Sequence, residues 1–389
     1  MTTTVPVTVR EAADDAEFGR YLALAPHAFG KVPYDHGTLR AHGHAAVAAR
    51  GNEVLGGGLF LPFAQHFGGR PVPSGGVAWL AVAPWERGAG LARRLTAYGT
   101  ERLRDAHGAA VACAWTPAVG LYRRWGWEAV SVAASHTLSP AGLPPPEPGF
   151  TAVRPDPEEC AALRRRLAPA WNGPLDRPHW WQGWRARVLT DPLTVGVTRE
   201  GTLTGYATVT VEPYEPWGVA AVVHDLWHDG PDALPALLDA VTARSPQVRE
   251  IRLRRAVLPS PGPLLWSLGQ YTVREEGWYP WMLTLLDVPR ALEARGWSPV
   301  PRGTVGLDVT SPDGRNTPYT LTFEEGRTRV RRGGDGTVRC TAGALAAWYA
   351  GALTVRQAYA YGTAAGDPHA ADLLDALTTG QGPWLPETF

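Results

Sequence analysis

Hydrophobic and polar positions change period along this chain, and each change marks off an element. An apolar run from Val77 to Val82 stops at Pro84 and predicts a buried strand. Leu91, Leu95, Tyr98 and Leu103 then recur at roughly helical spacing and predict an amphipathic helix over Leu91–Ala106. Ahead of this pair, residues 5–12 predict a short strand and Asp14–Leu24 a helix with acidic residues in its first turn. Ala25–His44 reads as irregular, and Ala45–Arg50 with Val54–Pro62 as a hairpin about Arg50-Gly-Asn-Glu53. Downstream come a strand at Ala109–Trp115, a short helix at Leu121–Trp125 and a strand at Ala129–Leu138. Strands and helices in this order predict an α/β layered domain over residues 1–140.

Ser139-Pro-Ala-Gly-Leu-Pro-Pro-Pro-Glu-Pro-Gly149 can continue neither a helix nor a central strand and reads as a linker. Beyond it the order repeats over 150–286. Thr151–Arg154 is a strand, Pro157–Leu167 and Arg177–Ala186 are helices, and Leu193–Arg199 with Gly205–Val211 is a hairpin. Val219–Trp227 is a strand, Asp232–Ala243 a helix, Glu250–Arg254 a strand, Pro263–Leu268 a short helix and Trp281–Leu286 a closing strand. No residue-level repeat accompanies this repeat of order. From 287 to 389 the pattern becomes α+β: a helix at Val288–Arg295, short strands at Val305–Thr310, Pro318–Glu324, Thr328–Arg332 and Val338–Thr341, then helices at Ala342–Ala350, Val355–Tyr361 and Pro368–Leu377.

Composition narrows the function classes. Lys+Arg and Asp+Glu are both 37, so bulk charge favours neither nucleic acid nor a membrane surface as a partner. Cys113, Cys160 and Cys340 stand far apart, which predicts neither a zinc site nor a disulfide framework, and no metal is expected. The first residues lack a basic and apolar leader, and no apolar run reaches the length of a membrane span, so a cytoplasmic protein is expected. The 17 Trp serve core packing or line an acceptor pocket.

The strand and helix about Val82 and Leu91 enclose Arg87-Gly-Ala-Gly90. A glycine turn there aims backbone N–H groups and a helix N-terminus at one point, which suits a pyrophosphate. The Walker motif is absent, and no third glycine follows as in the dinucleotide fingerprint. The corresponding turn of the second half, His228-Asp-Gly-Pro-Asp232, carries carboxylates, expected to satisfy the helix donors and repel phosphate.

Arg87-x-x-Gly90-x-Ala92 resembles the coenzyme A loop of the GNAT acyltransferases. Leu121-Tyr-Arg-Arg-Trp-Gly-Trp127 resembles the segment that follows the splayed strand in that fold. The whole chain resembles the Eis (enhanced intracellular survival) acetyltransferases, on these motifs, on Asp287-Val-Pro-Arg-Ala-Leu-Glu-Ala-Arg295 and on a terminal aromatic, Phe389. That resemblance implies tandem GNAT domains followed by a sterol-carrier-protein-like domain, a hexamer, and acetyl-CoA as donor. It assigns the donor to Leu80, Ala81, Val82, Arg87, Gly88, Ala89, Gly90, Leu91, Ala92, Arg93 and Thr116. It makes Tyr122 the acid and the α-carboxylate of Phe389 the base. Arg87 is the one cation in a turn that is more basic in the family, so phosphate binding leans on backbone N–H groups. A terminal carboxyl, with a reference pKa of about 3.5, deprotonates an amine best through water or by stabilising developing charge.

For the acceptor, Asp35 and His36 are candidates to hold an amine, with Phe29, Tyr34, Trp79 and Trp115 as aromatic walls. The reading is an N-acetyltransferase acting on an aminoglycoside, polyamine or lysine-like amine. The alternatives are the same mechanism on a metabolite with an apolar or aromatic body, and a non-catalytic lipid-binding or scaffold protein.

Overall fold

The first half of the chain lays down an antiparallel meander. β1 (Thr8–Glu11), β2 (His44–Arg50), β3 (Glu53–Phe67) and β4 (Arg70–Val82) pair in sequence, with α1 (Asp15–Leu22), α2 (Ala25–Phe29) and α3 (His36–Ala41) between β1 and β2. Then follow α4 (Leu91–His107), β5 (Val111–Trp115), α5 (Val119–Arg123) and β6 (Glu128–Leu138). These observations come from a computed structural model, which describes residues 6–32, 35–243, 245–259, 272–378 and 382–389.

Asp14 caps α1 by accepting from the Glu17 backbone N–H. The segment expected to be irregular contains α2 and α3. β3 and β4 run well beyond their predicted ends, because Phe67 pairs with Arg70 across a Gly68–Gly69 turn. Pro62, Pro71 and Pro73 all lie inside this hairpin.

The second half repeats the order as β7 (Phe150–Val153), α6 (Pro157–Leu167), β8 (Leu175–Asp176), α7 (His179–Val188), β9 (Leu193–Arg199), β10 (Thr202–Pro213), β11 (Val219–His228), α8 (Ala233–Thr242), β12 (Val248–Leu253) and β13 (Val273–Leu285). The helix expected at Pro263–Leu268 lies outside the described residues. The two halves share one sheet of order β1-β2-β3-β4-β5-β13-β6-β12-β11-β10-β9-β7. They exchange their last strands. β13 inserts between β5 and β6, with Trp281 opposite Trp115, while β6 reaches β12, with Leu138 opposite Ile251.

The remainder folds as α9 (Val288–Ala294), β14 (Gly303–Thr310), β15 (Asn316–Glu324), β16 (Arg327–Arg332), β17 (Val338–Thr341), α10 (Ala342–Ala350), α11 (Val355–Ala360), β18 (Ala364–Gly366) and α12 (Pro368–Leu377). Its five strands form a second sheet, and α10, buried along its whole length, packs on β13 and β6. Asn172 ties all three parts together. Its Oδ1 accepts from Gly68 N–H at 2.8 Å, its Nδ2 donates to Ala350 C=O at 3.1 Å, and its carbonyl accepts from Trp384 N–H at 2.8 Å.

Candidate active site

The site grows from a fault in β4. Opposite Gly58, β4 carries one extra residue, and Trp79 there adopts a left-handed φ of 54°. Tyr21 holds this bulge by donating its hydroxyl to the Trp79 carbonyl at 2.6 Å. Its ring lies so close to Gly57 that a side chain there would collide with it. Just before the bulge β4 leaves its parallel neighbour: pairing with β5 covers only Ser74–Gly76 against Val111–Cys113. Ala83 N–H donates back to Leu55 C=O, so by antiparallel alternation the N–H of Val82 faces the other way, into the opened gap. Leu80 and Val82 are half-buried along that edge, and Ala81 is buried.

The loop after β4 turns at Gly88 (φ 88°) and Gly90 (φ 76°), conformations that favour glycine. No side chain caps α4, and its first backbone bond runs from Arg94 N–H to Gly90 C=O. The N–H groups of Leu91, Ala92 and Arg93 precede that bond and point out of the helix end, with the exposed Ala89 beside them. Arg87 donates to His27 C=O at 3.3 Å, and Arg50 neutralises Glu86 at 2.9 Å. These uncapped donors fit a pyrophosphate. The second half differs in a way the sequence reading misjudged: Asp232 does not cap α8, and Asp229 is bound by Arg166 at 2.7 Å.

Thr116 Oγ1 accepts from Ala118 N–H at 3.1 Å and so starts the turn into α5, which carries Tyr122. Tyr122 is buried against Trp125 and Trp127 in the cluster that includes Leu91 and Leu95, beneath the start of α4. Burial pushes its pKa above the ordinary phenol value, so it stays protonated at neutral pH.

Beside the opened strands lies a cavity of about 390 Å³, which the loop after β4 does not line. Trp79, Trp115 and Phe29 line it together with Pro386, Thr388 and Phe389. Phe29 meets Trp79 edge-on at 5.0 Å. The Phe389 ring packs on Phe63 and directly over Gly76, where β4 and β5 part. Trp115 Nε1 donates to the Glu387 carbonyl at 2.8 Å, and Trp384 Nε1 to the Ala256 carbonyl at 2.6 Å.

The tail is also held by a charged anchor that the sequence analysis does not single out. Glu387 is 2% exposed and accepts from Arg177 Nε at 2.8 Å and from Leu175 N–H at 3.1 Å. The predicted helix at Arg177 begins only at His179, and Arg177 turns inward to bind Asp225 through both terminal nitrogens at 2.6 and 2.8 Å. Burial opposes the Asp225 charge, but attraction and hydrogen bonds from Arg177 outweigh it and hold the carboxyl at about 2. A glutamate two residues from an aromatic terminus was the available signal.

Two acceptor candidates are not brought to the cavity wall. Asp35 is bound to Arg187 at 2.7 Å and to the Thr38 hydroxyl at 3.0 Å, and His36 starts α3 beside Phe18. Tyr34 lies outside the described residues. Among the described residues no cluster of three or more His, Cys, Asp or Glu side chains is arranged to hold a metal ion, and no helix is long and apolar enough to cross a membrane.

Comparison with known proteins agrees with this geometry. Residues 8–130 match the acetyltransferase (GNAT) domain family and residues 288–386 the sterol carrier protein domain family. None of the curated proteins matches the sequence. Among solved structures, a GCN5-related N-acetyltransferase from Anabaena variabilis superposes with a TM-score of 0.87 at 21% identity, covering 99% of this chain and 100% of that one. A GCN5-related N-acetyltransferase from Kribbella flavida gives 0.82 at 19% identity, covering 100% of both chains. Eis1 from Mycobacterium abscessus gives 0.76 at 23% identity, covering 99% of this chain and 100% of that one. Residues 8–130 thus form a GNAT acetyltransferase domain. Over its whole length the chain shares the fold of these three structures, with the sterol carrier protein domain at its end. The GNAT domain implies acetyl-CoA as donor.

Proposed function

We propose that the chain moves an acetyl group from acetyl-CoA to the amine of a small molecule by direct attack, with Tyr122 and the α-carboxylate of Phe389 as the reacting protein groups. The observation that carries this reading is the meeting of Phe389 with the point where β4 and β5 separate. The donor supplies a thioester carbonyl. The uncapped N–H groups of Leu91, Ala92 and Arg93 hold its phosphates, supported by Gly88, Ala89, Gly90 and Arg87. The edge over Leu80, Ala81 and Val82 orients it, and the Val82 N–H stabilises negative charge that develops on the carbonyl oxygen. Thr116 fixes the turn that presents α5, and Tyr122 holds a proton for the departing sulfur. The Phe389 carboxylate, beside the aromatic walls Phe29, Trp79 and Trp115, accepts the amine proton through water or stabilises the ammonium charge formed on attack.

The resemblance to the Eis family further suggests a hexamer in the cytoplasm. The test is a thiol-release assay on protein extended beyond Phe389. Turnover should be lost while acetyl-CoA binding by calorimetry stays within about twofold, because the phosphate loop does not line the cavity at Phe389. Full activity in the extended protein removes the terminal carboxylate from the mechanism.

A further inference from the structure

The acceptor cavity is built by both halves. β11 carries an extra residue against β10, as β4 does against β3, and here that residue is His224. His224 lines the same cavity as Trp79, so the two strand faults face one space. With it the second half contributes Arg185, Arg254 and Arg255 to the lining.

Among the described residues no Asp or Glu side chain lines this cavity. Arg185 donates to the neutral His224 carbonyl at 2.8 Å. None of the ion pairs among the described residues involves Arg185, Arg254 or Arg255. The residues outside the described set include no Asp or Glu, so they hold no hidden counter-ion side chain. The nearest buried carboxylates, Asp225 and Glu387, are both bound by Arg177. Lys31 adds a further cation, against the single α-carboxylate of Phe389.

The electrostatics agree. Burial, reinforced by neighbouring cations, pushes Lys31 and Arg255 below their ordinary pKa values. Burial, with Arg185, Arg254 and Arg255, lowers His224 to about 4, so it is neutral at pH 7. The backbone is also strained here. Arg255 and Ala256 are both left-handed, with φ of 42° and 49°. This turn lays the Arg255 guanidinium 4.2 Å over the Trp278 ring, which continues to Trp115 at 5.6 Å.

A polycationic amine would meet like charge here. Resting on the acetyl-transfer reading, we infer that the acceptor carries a carboxylate or phosphate on a flat apolar body. Arg185, Arg254 and Arg255 take the anion, and Trp79, Trp115 and Trp278 take the body. The phosphates of the donor are the other possible source of such an anion, but the loop that fits them lines no part of this cavity.

The test compares 4-(aminomethyl)benzoate with benzylamine, a pair differing by one carboxylate, with spermidine as the polycation. The carboxylate should be preferred in kcat/KM by about tenfold or more, the scale of one charge-assisted hydrogen bond. Arg254→Gln and Arg255→Gln should each cut that preference severalfold while leaving the acetyl-CoA KM near wild type. Equal or better use of benzylamine or spermidine overturns the inference, and so does a rise in acetyl-CoA KM in the variants without loss of the preference. Calorimetry with the same pair reads the anion preference without turnover. No thiol release from protein that still binds the carboxylate more tightly refutes acetyl transfer and leaves the anion site standing.

Discussion

A single methyl group at Gly76 should uncouple donor binding from turnover. Gly76 lies at the last residue where β4 pairs with β5. A Cβ there would fall 2.6 Å from Phe389 Cε2 and 2.8 Å from Phe63 Cε1. Carbon–carbon contacts ordinarily settle at about 3.5–4.0 Å, so both rings must give way, by roughly 1 Å. Phe63 is fixed in the ladder opposite Ser74. Phe389 ends the chain two residues past its anchor at Glu387, so it is the ring that moves farther. A misplacement of about 1 Å at a reacting group costs on the order of 10²-fold in rate, or about 2.7 kcal/mol of barrier. Gly76→Ala should therefore lower kcat by about 10- to 100-fold in the thiol-release assay. The acetyl-CoA KM should hardly change, because Arg87 to Ala92 are untouched. Thermal unfolding should confirm that the variant is folded. Combining Gly76→Ala with Phe389→Ala should cost no more than Phe389→Ala alone, since both act through one ring. A folded Gly76→Ala protein with wild-type kcat would refute the reasoning.

Tyr122→Phe should lower kcat by about 10²-fold with unchanged acetyl-CoA affinity, and an unchanged kcat rejects its acid role. Arg177→Met leaves Asp225 and Glu387 buried without their cation. It should destabilise the protein by about 3–5 kcal/mol in urea unfolding and expose the tail to carboxypeptidase. The Asp225 carboxyl sits at about 2 in the folded chain, below its unfolded value of about 3.9. Its stabilisation is thus complete above about pH 4 and lost as pH falls through 2. The loss is about 2–3 kcal/mol, and urea midpoints at pH 5, 4, 3 and 2 measure it.

Local signals carried much of the site into the sequence. The glycine turn, the strand before it and the amphipathic helix after it depend on neighbouring residues, and Gly88, Gly90 and Leu91 appear where spacing put them. Trp79 and Trp115 lie on the cavity wall. Long-range pairing was not legible. Period two marks Trp281–Leu286 as a strand but says nothing of its neighbours, so its insertion beside Trp115 had no sequence signal. Asp35 looked like an amine ligand because Arg187, its partner, is 152 positions away. The cationic lining escaped for the same reason: Arg185 is far in sequence from Arg254 and Arg255, and the three meet Trp79 and Trp115 only when the two halves share a sheet.

The exchanged strand also sets a timetable for synthesis. Until β13 has been made, β5 and β6 each present an open edge, and β6 lacks β12 as well. Residues up to Leu138 therefore cannot complete their sheet as they leave the ribosome, although they contain the whole donor loop. The first half must wait, with exposed edges, for about 150 further residues, some ten to thirty seconds at ordinary elongation rates. Such edges invite pairing with other chains. Shortened proteins that stop before Val273 should accumulate in inclusion bodies, and chaperone demand should fall on this interval of synthesis more than on the finished chain.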